Sequence, residues 1–153
     1  LSDRPTPAAP LRDGTFLEVL ESLGVPVVGF CTDVLPAFYA RSSGLTLEHR
    51  VDSVEAAADL VRARFDALGQ GGLVLAVPPP VDSALDRGTV ERHLKGALAA
   101  ARKARVTGKA VTPFLLGELA RRTRGKSVTA NLALLENNAR VAGAIAAALR
   151  GAR

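Results

Sequence analysis

Two groups of residues in this chain have the types and spacing to contact a ligand. The first lies in "NLALLENNAR", residues 131–140, where Asn131 and Asn138 stand seven residues apart and Asn137 adjoins the second. Seven residues are two helical turns, so Asn131 and Asn138 share one helix face. Asparagine is a poor interior helix residue because its amide competes for backbone groups. Three of them on an otherwise apolar helix therefore need a reason. Each amide both donates and accepts, so it can read a nucleobase-like edge or a sugar hydroxyl; it can equally satisfy the buried backbone of a neighbouring loop.

The second group lies in "GFCTDVLPAFYARSSG", residues 29–44, directly after an apolar run read as a buried strand. Ligands of open α/β sheets lie beyond the carboxyl ends of the strands, which singles out Thr32 and Asp33 as pocket residues. Arg41, Ser42 and Ser43 offer donors for a phosphate; the alternative is an Asx-type turn with a surface arginine. A third stretch, "GKAVTPFLLGELARRT" at 108–123, predicts a helix capped by Thr112, with Pro113 at its first position and Lys109 just upstream.

Other chemistries find no support. His49 and His93 are far apart and have no partner at metal-ligand spacing. "GQGG" at 69–72 precedes a strand instead of joining strand to helix, so it is not a dinucleotide loop. No nucleophile elbow is present. Cys31 is the single cysteine, which rules out an internal disulfide and fits a reducing cytoplasm.

The positioning elements follow from periodicity. "TFLEVLESLG" (15–24) reads as a helix stopped by Gly24, and "VPVVGF" (25–30) as a buried strand. "HRV" (49–51) is a second short strand. Asp52 is expected to cap the helix 53–69, with Glu55 completing a box-like pattern. "GGLVLAV" (71–77) is the third strand, stopped by Pro78, Pro79 and Pro80. Helices follow at 89–104, at 112 to about 122, and at 127–149, the last long, alanine-rich and free of proline. Residues 1–15, with three prolines in "LSDRPTPAAPLRDG", read as an extended or mobile arm ahead of a domain at 16–153. Few strands and many helices predict an α/β fold, part of a larger α/β/α sandwich.

Of the 153 residues, 48% are hydrophobic, enough for a packed core. No apolar run is long enough to cross a bilayer, and no signal peptide is visible. The formal charge is +5, but the basic residues are scattered and aromatics make up only 4%, so nucleic acid is not the expected partner. The chain begins with leucine and contains no methionine, which suggests an incomplete sequence.

Taken together, "LEVLESLGVPVVGF-TD--PAFYARSSG", "HRVDS", "GKAVTPFLL" and "S---NLAL--NNAR" resemble the pseudouridine-5′-phosphate glycosidase family over roughly residues 16–149, as its C-terminal half. The resemblance implies reversible cleavage of the C–C glycosidic bond of pseudouridine 5′-phosphate to uracil and ribose 5-phosphate. It also implies an α/β/α fold, a homotrimer, a divalent metal such as Mn2+, and a lysine that forms a Schiff base with the opened ribose. Asn131 matches the position that contacts uracil. The metal ligands and the acid belong to the family's other half, and Ala8 aligns where the lysine is expected, so no catalytic or metal-binding residue is assigned to this chain. In the family's "GTDEFPAFY" loop Cys31 replaces a glycine and Val34-Leu35 replace an acidic-aromatic pair. In its "ANPIP" stretch Val77 replaces an asparagine. These departures leave two alternatives: a C-glycosynthase joining ribose 5-phosphate to an aromatic acceptor, or a catalytically dead remnant. Lys109 and Thr112 fall in a stretch read as architectural.

Overall fold

The computed structural model describes residues 13–67, 69 and 71–151; the position of Ala8 and most of the expected arm lie outside them. Helix α1 (Asp13–Ser22) leads through Gly24, at φ +64°, into strand β1 (Val27–Phe30). Strand β2 (His49–Val51) follows a long loop, then helix α2 (Val54–Arg62) and strand β3 (Val74–Ala76). Helices α3 (Arg87–Lys103), α4 (Val111–Arg122) and α5 (Lys126–Gly151) complete the chain. The three strands are parallel in the order β2-β1-β3, with Val28 opposite both His49 and Leu75.

Parallel strands need cover on both faces, and they have it here. Phe30, Val51, Leu75 and Val77 pack on Ala57 and Ala58 of α2 and on Val141 and Ile145 of α5. The other face carries Ala76 against Leu35 and Leu47 of the long loop and Leu17 of α1. A satellite cluster of Tyr39, Ala97, Leu119 and Ala130 holds α3, α4 and the start of α5 together. The expected α/β layering of helix, sheet and helix is therefore present, and α5 is one continuous helix of 26 residues, as its lack of proline predicts.

The helix starts differ from expectation. Ala110 occupies the cap position of α4 and makes no side-chain cap bond; a 3-10 turn, Gly108–Ala110, runs straight into the helix. The Val111 N–H is received by the Gly108 carbonyl, so a Thr112 cap is not needed. Ser53, not Asp52, caps α2: its hydroxyl accepts from Ala56 N–H at 3.1 Å, which puts Glu55 one position too early for a capping box. Beyond Arg62 the helix widens into a π-helical turn, Ala63–Ala67, where Arg64 donates to the carbonyls of Gly72 (3.1 Å) and Gly24 (2.7 Å).

Candidate functional site

Because the strands are parallel, their carboxyl ends gather at one sheet edge. β1 leaves that edge in a tight reversal. A Cβ on Gly29 would overlap the Thr32 carbonyl oxygen, so glycine is required there. Cys31 takes φ +54°, a region L-residues enter at a cost of roughly 1–2 kcal/mol. The Thr32 hydroxyl donates to Val34 O (3.0 Å) and accepts from Val34 N–H (3.2 Å), so Thr32 shapes the loop through its own turn. Asp33 is exposed and receives Arg50 Nη1 at 2.6 Å, while Arg50 Nε reaches Asp52 Oδ1 at 2.6 Å. The hydrogen bond to Asp52, reinforced by the one to Asp33, raises the Arg50 pKa above the ordinary arginine value. Arg50 is the residue that sequence reasoning missed: one surface arginine among many carries no spacing signal.

The loop continues with isolated pairings, Val34 with Thr46 and Ala37 with Ala40, that fold it back on itself. Phe38, at φ +36° and 55% exposed, stands edge-on to the buried Tyr39 at 4.5 Å between ring centroids. Ser42 and Ser43 accept from the N–H groups of Gly44 and Leu45, and Ser43 is buried. These hydroxyls order a turn made by serines, where the alternative reading had an Asx-type turn. Arg41 Nη1 donates to the Pro79 carbonyl at 2.5 Å and ties this loop to the exit of β3.

That exit is a run of three prolines, which have no N–H to donate. Their carbonyls are received one by one: Pro78 by the Asn137 amide (3.3 Å), Pro79 by Arg41, and Pro80 by Ser83. Asn137 also accepts from Arg140 at 2.7 Å. It thus serves the loop-satisfying role that spacing alone left open. Asn131 is half-buried, and its amide makes no hydrogen bond among the described residues, which leaves it the donor and acceptor set of the reading role. Asn138 lies beside Val77 at the upper end of an apolar groove of about 420 Å³ that runs down between β3, α2 and α5. The structure therefore places Thr32 and Asp33 at the end of β1 and Asn131 on α5, with no hydrogen bond joining them.

Among the described residues no three His, Cys, Asp or Glu side chains could hold a metal ion, and the two aspartates at the sheet edge are engaged by Arg50. The described residues do not fit the metal that the resemblance implies. Four further arginines form ion pairs: Arg62 with Asp59, Arg87 with Glu91, and Arg121 and Arg122 with Glu118. Lys109 is exposed in the 3-10 turn ahead of α4. No helix among the described residues is long and apolar enough to cross a membrane.

Comparison with known proteins agrees with this geometry. The family model described as "Indigoidine synthase A like protein" matches residues 11–148. A pseudouridine-5′-phosphate glycosidase of Myxococcus xanthus is 56% identical over 132 residues, covering 86% of this chain and 44% of that protein. The crystal structure of the prealnumycin C-glycosynthase AlnA in complex with ribulose 5-phosphate superposes with a TM-score of 0.79 at 37% identity, over 88% of this chain and 44% of that one. An indigoidine synthase A-like protein from Thermotoga maritima gives 0.76 at 34% identity, over 92% of this chain and 45% of that one. The chain thus spans less than half the length of these relatives, corresponding to the C-terminal half of the glycosidases. The family model matches most of the chain and the Myxococcus xanthus relative is 56% identical over 86% of it, so the chain belongs to the indigoidine synthase A-like family.

Proposed function

We propose that this chain supplies the base-reading part of a pseudouridine-5′-phosphate glycosidase, an enzyme that adds water across the C–C glycosidic bond to release uracil and ribose 5-phosphate. The observation that carries the reading is Asn131: a half-buried amide without a protein partner among the described residues, on the helix whose Asn137 holds the Pro78 carbonyl at the exit of β3, at a position that by the family resemblance contacts uracil. Uracil presents alternating carbonyl and N–H groups, and a carboxamide matches such a pair with one donor and one acceptor. Thr32 and Asp33 shape the pocket wall by fixing the exit of β1. The acid and the Mn2+ ligands come from polypeptide equivalent to the other half of the relatives, and the nucleophilic lysine, at whose expected position this chain has Ala8, also comes from outside this chain. Assembly into a homotrimer and a cytoplasmic location belong to the same proposal and rest on the family resemblance.

The test joins the part of the Myxococcus xanthus glycosidase that this chain does not match ahead of this chain. With pseudouridine 5′-phosphate and Mn2+, the chimera is expected to release uracil. Asn131→Ala should lower kcat/KM by about 10- to 100-fold, the effect of losing one buried polar contact. A folded chimera that releases no uracil, beside an active parent enzyme, would overturn the reading.

The C-glycosynthase alternative is motivated by the apolar residues at Val34, Leu35 and Val77 and by the likeness to AlnA. Leu35, however, is buried against Leu47 and Ala76, and Val34 pairs with Thr46, so of the three only Val77 faces the groove. The glycosidase reading is the better supported.

A further inference from the structure

Helix α5 is apolar on two sides. Its covered side carries Ala130, Val141 and Ile145. A second stripe, Val128, Leu132, Leu135, Ala139, Ala142 and Ala146, recurs at alternating steps of four and three residues and is exposed along its whole length. Steps of four and three keep residues on one face of a helix and make the seam of helix against helix packing. Val128, Leu132 and Leu135 are 57%, 58% and 56% exposed, which is unusual for three large aliphatic groups in one row. A helix that is hydrophobic nearly all round is a buried helix.

Two neighbouring features are open on the same side. β3 is an edge strand among the described residues, although parallel strands are ordinarily interior. The apolar groove beside it, lined by Phe65, Leu75, Val77 and Ile145, shares Ala142 and Ala146 with the stripe. Asn131 and Asn138 sit on the flank of α5 between its covered side and the open stripe.

From these features we infer that the stripe and groove are the docking face for polypeptide equivalent to the half of the relatives that this chain does not span, and that the base-reading site closes only when that polypeptide is seated. The occupant follows from length and continuity. The relatives carry more than half their residues beyond the matched region, and the groove beside β3, an edge strand among the described residues, shares Ala142 and Ala146 with the stripe on the long helix. The inference rests on the family reading above. It makes Asn131 a cleft residue, walled on one side by this chain and on the other by the docked half.

Thiol labelling tests it without reference to turnover. In a Cys31→Ser background, Leu132→Cys, Leu135→Cys and, as a control off the stripe, Glu136→Cys are made in this chain alone and in the chimera. Cooperative melting verifies folding. In the isolated chain all three should label rapidly. In the chimera the two stripe thiols should slow by about 100-fold or more, as groups do when their exposure requires local opening, while Glu136→Cys stays fast. Stripe thiols that label in the folded chimera as fast as Glu136→Cys would overturn the inference. So would protection already present in the isolated chain and lost on dilution, which would make a second copy the occupant. Protected stripe thiols in a chimera that releases no uracil would uphold the docking face and remove the glycosidase reading; release of uracil with exposed stripe thiols would do the reverse.

Discussion

Arg50 and Asp33, 17 residues apart in sequence, are joined at 2.6 Å across the carboxyl ends of β2 and β1, and the same guanidinium holds Asp52. The arginine fork thereby fixes the loop that carries Thr32 relative to the neighbouring strand. Arg50→Ala is expected to speed exchange of the Leu47 amide, which donates to the Asp33 carbonyl at 2.8 Å, with little change in melting temperature, since exposed ion pairs add little global stability. Arg50→Lys should not restore protection, because an ammonium lacks the planar fork that meets two carboxylates. Hydrogen exchange read residue by residue decides it; unchanged Leu47 exchange in Arg50→Ala would refute the role.

The reversal after β1 makes opposite demands on two adjacent positions. Gly29→Ala drives a methyl into the Thr32 carbonyl oxygen and should destabilise by about 1–3 kcal/mol, the range for overpacking. Cys31→Gly should stabilise by about 1 kcal/mol by relieving the positive φ, at the loss of a weak sulfur contact to Asp52 O. Denaturant melts of both variants check the pair; a destabilising Cys31→Gly would contradict the strain argument.

Glu118 gives the chain a measurable acid response. The side-chain hydrogen bond from Arg121, with a second from Arg122, holds its carboxyl down at about 2, against 4.5 for a free glutamate. The folded pKa lies below the unfolded one, so this carboxylate's contribution to stability is full above 4.5 and drains away as pH falls toward about 2. The stability difference between the native chain and Glu118→Gln should therefore be constant near neutral pH and shrink through that window. A difference independent of pH across it would show that the carboxylate charge is not what counts.

The two asparagines of α5 should separate cleanly. Asn137→Ala orphans the Pro78 carbonyl and is expected to cost about 1 kcal/mol in a melt of this chain. Asn131→Ala has no protein partner to lose among the described residues and should stay within about 0.5 kcal/mol of the native chain, its effect showing only in base binding. Equal losses of stability would mean that Asn131 is structural as well.

Much of this arrangement was legible in the residues. Valine-rich runs bounded by glycine and proline located β1 and β3, and α5 followed from an uninterrupted apolar period. Boundaries were less so: Ser53 and Asp52 are both good caps, and only backbone geometry selects the serine. The 3-10 lead-in to α4 depends on Gly108 at φ +60°, which displaces the expected Thr112 cap without any change in pattern. Periodicity placed three asparagines on one helix but could not tell the one that holds a loop from the one whose amide stays unbonded among the described residues. That difference depends on which carbonyl lies across from each, and the Pro78 carbonyl comes from the exit of β3, 59 residues away in sequence.

Those proline carbonyls also impose an order of events. Pro78 waits for Asn137, 59 residues later, and Pro79 is held from Arg41, 38 residues earlier. Neither link is local, and folding slows as contacts join segments more distant in sequence. On a ribosome the sheet and its first covering helix can assemble while the chain is still growing, yet the rim of the pocket stays unset until the last helix has emerged. The Pro78 link at the exit of β3 is therefore made only once the last helix has emerged, and loss of that helix would remove the link together with the Val141 and Ile145 cover of the sheet.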